Sequence, residues 1–366
     1  MNKELNLTLK KPKHGGNLLA VRRHLSQTEA AAKLDWIDLS SAVNRHPWPV
    51  PEVPVSLWHE LPDNVALMQA AKRYYGRDNF VSIAGTQQAI EALPNLLFEA
   101  NKRADTKVLI PHVGYQEHGF AWSKWRYQLE SYQDYHSLSQ RDWQVLVLIQ
   151  PNNPTAQTLT SEALLNLVEI AQAREAYIIL DEAFIDAQSG ASLLEYYQTN
   201  SWPSCLILLR SVGKFFGLPG ARVGFCFANP LVLQGLSSVI GPWPIATPAV
   251  WLITQALNDH HWQLHALDDL SKRRQTFRLE LQPLISRLFE SCDWQQSELF
   301  FTLFSGSVDS VYETLQTFGI HVRLGQGWLR FALPADTEFT SMRLRIEALL
   351  ESHQSVCVLQ KTAEEV

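Results

Sequence analysis

The segment RSVGKFFGLPGARVGF, Arg210 to Phe225, sets one lysine among glycines and apolar residues. Such a setting desolvates an amine, lowers its pKa and frees Lys214 to attack a carbonyl carbon and form an imine. Ser211 stands three residues before Lys214 and Arg222 eight after it. A hydroxyl and a planar guanidinium together suit a phosphate group. Gly213, Gly217, Gly220 and Gly224 let the backbone approach a bound group closely. Taken alone, a glycine hinge with a surface lysine is the plainer alternative. Asp181 directly follows the apolar run YIIL. An acid at the end of a buried strand needs either a partner or a capping role. In QPNNPT, Gln150 to Thr155, two prolines fix a turn and leave the Asn153 amide able to donate; an ordinary Asn-Pro turn reads the same way. Gly85-Thr86-Gln87 opens a helical pattern, and backbone N–H groups at a helix start bind phosphate, although many helices begin so. Tyr115 follows KVLIP and can stack on a flat ring or simply pack.

These groups need a scaffold that brings strand ends together. The runs Lys107 to Ile110, Val145 to Gln150, Tyr177 to Leu180, Cys205 to Leu209 and Val223 to Phe227 are apolar without alternation, as fits strands covered on both faces. Helical patterns separate them. Gly85 to Asn101 carries an interior Pro94 that predicts a kink, and Thr160 to Arg174 is amphipathic. Strand-helix repetition predicts a mostly parallel sheet between helices, with ligands bound outside the carboxyl ends of its strands. After Pro248 the pattern changes. A long helix is expected from Trp262 to Phe289, strands at Leu299 to Phe304, Ile320 to Arg323 and Trp328 to Ala332, helices at Asp309 to Phe318 and Glu338 to Leu350, then a frayed tail. Residues 46–250 are expected to form a large α/β/α domain. Residues 1–45 and 251–366 are expected to form a smaller α+β domain, with HPWPVPEVP (His46 to Pro54) as an extended connector.

Composition narrows the class. A chain of 366 residues exceeds the usual single core, which supports two domains. A net charge of -6 argues against nucleic acid as a partner. No apolar run reaches about 18 residues, so no membrane partner is expected. The N-terminus has basic residues but no apolar stretch, unlike a secretory signal. Cys205, Cys226, Cys292 and Cys357 show no ligand spacing, so neither a metal site nor a disulfide framework is expected. A reducing cytoplasm is the simplest compartment.

In this order, Gly85-Thr86, Tyr115, PNNPT, DEAF, SxxK and an arginine eight residues later resemble fold-type I pyridoxal-phosphate (PLP) enzymes of the aminotransferase superfamily. Within it the chain is most similar to the threonine-phosphate decarboxylases of cobalamin biosynthesis, themselves similar to histidinol-phosphate aminotransferases. HGGN at His14 to Asn17, DEAFID at Asp181 to Asp186 and LRSVGKFFGLPGARVGF carry that likeness. The resemblance implies that Lys214 holds PLP as a Schiff base, Asp181 pairs with the pyridine nitrogen, Asn153 bonds the phenolic oxygen and Tyr115 stacks on the ring. It implies Gly85, Thr86, Ser211 and Arg222 around the cofactor phosphate and Arg330 on the substrate α-carboxylate. His14 and Arg323 are implied for the substrate's phosphate, and Asn44 and Asn153 also face substrate. The implied reaction takes L-threonine O-3-phosphate to (R)-1-amino-2-propanol O-2-phosphate in a homodimer.

The chain departs from the family at several points. Leu61-Pro62-Asp63 replaces a Tyr-Pro-Asp stretch whose tyrosine reaches the neighbouring subunit's cofactor phosphate. Ala156 replaces the glycine of PNNPTG. Ser40-Ser41-Ala42-Val43-Asn44 keeps only the last asparagine of a SANIN-like stretch. Transamination of histidinol phosphate is the alternative activity, against which Phe184 in place of the aminotransferase tyrosine counts. A catalytically silent partner protein of the same fold is a further alternative.

Overall fold

The computed structural model describes residues 11–12, 15–25 and 35–364. In chain order the strands are β1 (Ile37–Asp38), β2 (Phe80–Ile83), β3 (Lys107–Pro111), β4 (Gln128–Tyr132), β5 (Val145–Ile149), β6 (Tyr177–Asp181) and β7 (Leu206–Ser211). Then come β8 (Gly224–Phe227), β9 (Asp293–Gln296), β10 (Phe300–Phe304), β11 (Ile320–His321), β12 (Arg323–Gly325) and β13 (Trp328–Ala332). The described chain falls into two compact units. The first holds 50–213 and 220–258; the second holds 15–25, 35–49, 214–219 and 259–364.

The first unit is built on a seven-stranded sheet of order β2-β8-β7-β6-β5-β3-β4. The pairs from β7 through β6, β5 and β3 to β4 are parallel, while β8 runs antiparallel to both β7 and β2. Every residue of β5 is buried, which is why VLVLI shows no alternation. Helices Thr86–Leu96, Ser161–Ala173 and Pro230–Ile240 accompany the sheet. Thr160 Oγ1 accepts from Ala163 N–H at 3.2 Å and Asn229 Oδ1 from Val232 N–H at 3.1 Å, so each cap satisfies a donor left open at a helix start. The first of these helices is shorter than its pattern predicts. It ends at Leu96 with Pro94 inside it, and the Pro94 carbonyl accepts from the Tyr127 hydroxyl.

Beside the carboxyl end of β6 lies a buried charged cluster. Arg210 Nη1 donates to Glu182 Oε2 at 2.8 Å, Nη2 pairs with Asp186, and the guanidinium lies 5.0 Å from the Tyr75 ring centre. Burial pushes both carboxyls up, and Arg210 opposes that in each case. Removing the cation would strand two acids away from water. Arg210→Met is therefore expected to cost about 3–5 kcal/mol, read as a lower urea midpoint at unchanged slope.

The second unit carries a four-stranded antiparallel sheet, β12-β13-β10-β9, and the parallel pair β1-β11. Phe277 stacks on Phe301 with ring centres 4.0 Å apart and packs edge-on to Trp294. The long helical stretch expected here is interrupted. His260–Thr276 passes through a wide π turn, Phe277–Leu281, into Gln282–Ser286. Pro283 has no N–H to bond the carbonyl four residues back, which accounts for the altered winding. Instead of fraying after Leu350, the last helix spans Asp336–Glu364; no glycine or proline occurs after that leucine to stop it.

Candidate active site

The parallel register brings the carboxyl ends of three strands to one edge. Ile149 pairs with Asp181, and Asp181 with Leu209. Asp181 is 4% exposed. Its Oδ2 lies 2.9 Å from His118 Nε2 and its Oδ1 accepts from Ala183 N–H at 3.1 Å. An anion this deep persists only with such partners. His118 escaped the sequence reading. It lies on the helix Glu117–Ser123, one turn before buried Ala121 and Trp122. A histidine sharing the core stripe of a helix is the signal that marks it, because its ring needs a buried partner.

A second group gathers where β2, β8 and β7 lie side by side. Ile83 and Ser211 both pair with Gly224. A Cβ at Gly224 would stand 2.8 Å from the Arg210 carbonyl oxygen and 3.1 Å from Thr86 N, so only glycine permits this approach. Gly85, at φ +74, opens the helix Thr86–Leu96, and a Cβ there would meet Arg222 Nη2 at 2.6 Å. The guanidinium thus lies against a helix N-terminus. Two positive ends side by side favour an anion between them, which fits a phosphate held by Thr86, Ser211 and Arg222.

Tyr115 is half-buried, with its hydroxyl donating to Gln87 Oε1 at 3.1 Å and its ring edge-on to His118 at 6.1 Å. Burial first, then the Glu117 carboxylate, pushes its phenol up to about 12, so it stays neutral. Asn153 is half-buried in the loop after β5, between peptide bonds Gln150-Pro151 and Asn153-Pro154 that are both cis. Its neighbour Asn152 serves structure, donating to the Val113 carbonyl and to Thr155 Oγ1, each at 2.7 Å. Lys214 lies on the single-turn helix Val212–Phe215, which follows β7 without a break. Phe184 is buried just after Asp181, with no hydroxyl to offer.

In the second unit, Arg323 and Arg330 stand directly opposite each other on β12 and β13. Like charges at such a pair repel. Burial, with Arg323 adding to it, pushes Arg330 down to about 9; burial also lowers Arg323. Arg330 Nη2 donates to the Ser40 carbonyl at 2.7 Å, and the guanidinium lies 5.5 Å from the Phe300 ring centre. The Asn44 Nδ2 is buried without a hydrogen-bond partner among the described residues, while its Oδ1 accepts from Arg273 and from His46 N–H. Two facing cations and a partnerless donor among the described residues could hold a molecule with two anionic groups. His14 lies outside the described residues. Gly16 N–H, two residues on, donates to Ser40 Oγ at 2.7 Å, and a Cβ at Gly15 would stand 3.5 Å from Arg323 Cδ.

Comparison with known proteins sets the class. The description Aminotransferase class I and II matches residues 58–348, and the chain belongs to that family. It is a PLP-dependent enzyme. A threonine-phosphate decarboxylase of Pseudomonas aeruginosa is 33% identical over 337 residues, covering 88% of this chain and 93% of the relative. Among solved structures, the histidinol-phosphate aminotransferase of Clostridium acetobutylicum gives a TM-score of 0.73 at 21% identity, over 86% of this chain and 99% of that one. The L-threonine-O-3-phosphate decarboxylase of Porphyromonas gingivalis gives 0.66 at 18%, over 81% and 92%. At such identities the two structures establish the fold alone. Among the described residues, no helix is long and apolar enough to cross a membrane.

Proposed function

We propose that this chain decarboxylates L-threonine O-3-phosphate to (R)-1-amino-2-propanol O-2-phosphate, the reaction that leads to the cobalamin side chain. The observation that carries the reading is the facing pair Arg323 and Arg330. The substrate offers a carboxylate and a phosphate at once, one for each guanidinium. The near full-length relation to a threonine-phosphate decarboxylase supports it.

When bound, PLP supplies an electron sink that takes up the pair from whichever Cα bond stands perpendicular to its ring. The remaining work falls to the protein. Lys214 would hold the cofactor covalently. Asp181 would keep a proton on the ring nitrogen, with His118 and Ala183 N–H holding the carboxylate in place. Thr86, Ser211, Arg222 and the backbone at Gly85 would hold the cofactor phosphate, Asn153 would donate to its phenolic oxygen, and Tyr115 would cover a ring face. Arg330 takes the substrate carboxylate; Arg323 and His14 take the substrate phosphate, and Asn44 Nδ2 donates to a substrate oxygen. Gripping the distal phosphate while Arg330 orients the carboxylate would set the carboxylate upright, using binding energy away from the reacting carbon. Once CO2 has left, the Lys214 ammonium would donate a proton to Cα. Phe184 withholds the second hydrogen bond that a tyrosine would give the phenolic oxygen.

The enzyme is expected to act as a two-fold homodimer. Trp58, Leu61, Val65 and Trp243 are all exposed apolar side chains that a second copy would cover.

The test offers purified enzyme L-threonine O-3-phosphate and follows CO2 and the amine product. A parallel reaction offers histidinol phosphate with 2-oxoglutarate. Turnover in the second reaction alone would reverse the assignment. A variant sharpens the point. Arg323→Gln is expected to lower kcat/KM for the phosphorylated substrate by about a hundredfold, since charged hydrogen bonds contribute about 1.5–3 kcal/mol each. Weak activity on unphosphorylated L-threonine is expected to change little, so the preference between the two substrates collapses.

A further inference from the structure

The backbone of Lys214 is held by a segment that the reaction scheme uses only at the Asn44 side chain. Within the second unit, the segment from Asn44 to Trp48 runs beside Lys214 to Gly217. Asn44 N–H donates to the Lys214 carbonyl and Trp48 N–H to the Phe216 carbonyl, both at 2.9 Å. Gly217 sits at φ +67, and a Cβ there would lie 2.5 Å from the Asn44 carbonyl oxygen and 2.7 Å from Pro47 Cα. The two segments touch at a separation that only glycine allows.

Asn44 is itself fixed through its side chain. It is 2% exposed, and its Oδ1 accepts from Arg273 Nη2 at 2.7 Å and from His46 N–H at 3.0 Å. Arg273 is equally buried. Its Nε donates to Asp269 Oδ2 at 2.8 Å and its Nη1 to the Pro334 carbonyl at 3.0 Å. With each of its three nitrogens engaged, the guanidinium has one orientation. Because it only donates, it dictates which end of the Asn44 amide faces it and turns Nδ2 away. Four residues earlier, the Ser40 carbonyl holds Arg330. The short segment from Ser40 to Asn44 therefore ties the carboxylate-binding arginine to the backbone of the lysine.

We propose that Arg273 is a positioning residue for the reaction: through Asn44 it fixes the Lys214 backbone relative to Arg330. The proposal rests on the reading of Lys214 as the cofactor-bearing lysine. Its reach follows from geometry, since reacting groups misplaced by about 1 Å lose about two orders of magnitude in rate.

The experiment uses holoenzyme with four changes: Arg273→Gln, Asn44→Ala, both together, and Arg274→Gln as control. Arg274 is the next residue on the same helix and pairs instead with Glu298. Two readouts accompany steady-state kinetics. One is the pH midpoint of the visible absorbance of lysine-bound cofactor; the other is the rate at which borohydride fixes the cofactor to Lys214, followed by mass spectrometry. Arg273→Gln is expected to lower kcat about tenfold or more while KM moves less than about threefold, the split of a positioning defect. The absorbance midpoint is expected to shift by about half a pH unit or more, as the amine's surroundings change. Asn44→Ala should shift the midpoint and the trapping rate equally, with KM raised as well by its lost substrate contact, and the double variant should be no worse than the more damaged single one. Arg274→Gln should match the parent. Effects of Arg273→Gln and Asn44→Ala that multiply, or a loss of thermal stability with the midpoint and trapping rate unmoved, would overturn the proposal. Should Arg273→Gln fail to fold, Asn44→Ala alone carries the test: an unshifted midpoint there overturns it equally. Failure of the underlying lysine reading appears separately, as parent enzyme whose cofactor borohydride does not fix to Lys214.

Discussion

Lys214→Ala enzyme is expected to lose turnover of L-threonine O-3-phosphate by at least about a thousandfold, because in the proposed scheme one side chain both holds the cofactor and moves the proton at Cα. Two signatures separate this from a folding defect. Borohydride should no longer fix cofactor to the protein, while the urea midpoint should stay near that of the parent, since Lys214 is only half-buried. Lys214→Arg keeps a cation of similar reach, yet a guanidinium does not give up its proton near neutral pH and forms no imine. It should be as inactive as the alanine variant. Activity within about tenfold of the parent in either would assign the chemistry to another amine.

The parts of this molecule that the sequence discloses share one physical property: their signal is local. Apolar runs such as VLVLI and YIIL are buried on both faces, so composition alone marks them as central strands. Gly217 and Gly224 near Lys214 announce close approach because no other residue tolerates it there, whereas Gly220, expected to do the same, faces open space. Asp181 stands out since a charge after four apolar residues has no local compensation. What stayed hidden depends on contacts distant in sequence. His118 is separated from Asp181 by 63 positions, and nothing in YQEHGFAW names the partner. The edge strands β4 and β9, QLESY and DWQQ, are largely exposed and too polar to read as strands; their pairing to β3 and β10 makes them so. Arg273 looked like one of several cations on a polar helix, and only the fold buries it against Asn44. The π turn before Pro283 was likewise invisible, because proline marks a disturbed helix without saying how the disturbance is absorbed.

Asp181→Asn is expected to lower kcat by about two to four orders of magnitude, or about 3–5 kcal/mol at 1.36 per decade. The change keeps the shape of the side chain and leaves Oδ1 able to accept from Ala183 N–H, so the fold should survive. What disappears is the negative charge that, in the proposed scheme, would keep a proton on the ring nitrogen. His118→Asn tests the same idea from the other side. There the carboxylate keeps its charge and its backbone donor and loses one hydrogen bond of 2.9 Å, so the expected loss is about tenfold. The order of the two effects is the informative result. If the histidine supplied the proton and the carboxylate merely oriented it, the two variants would be equally impaired, and the double variant no worse than either. If the carboxylate acts directly, Asp181→Asn dominates and adding His118→Asn to it changes little. Steady-state kinetics on the three variants, with cofactor affinity measured alongside, decides between these arrangements. An Asp181→Asn enzyme within tenfold of the parent would remove that carboxylate from the chemistry altogether.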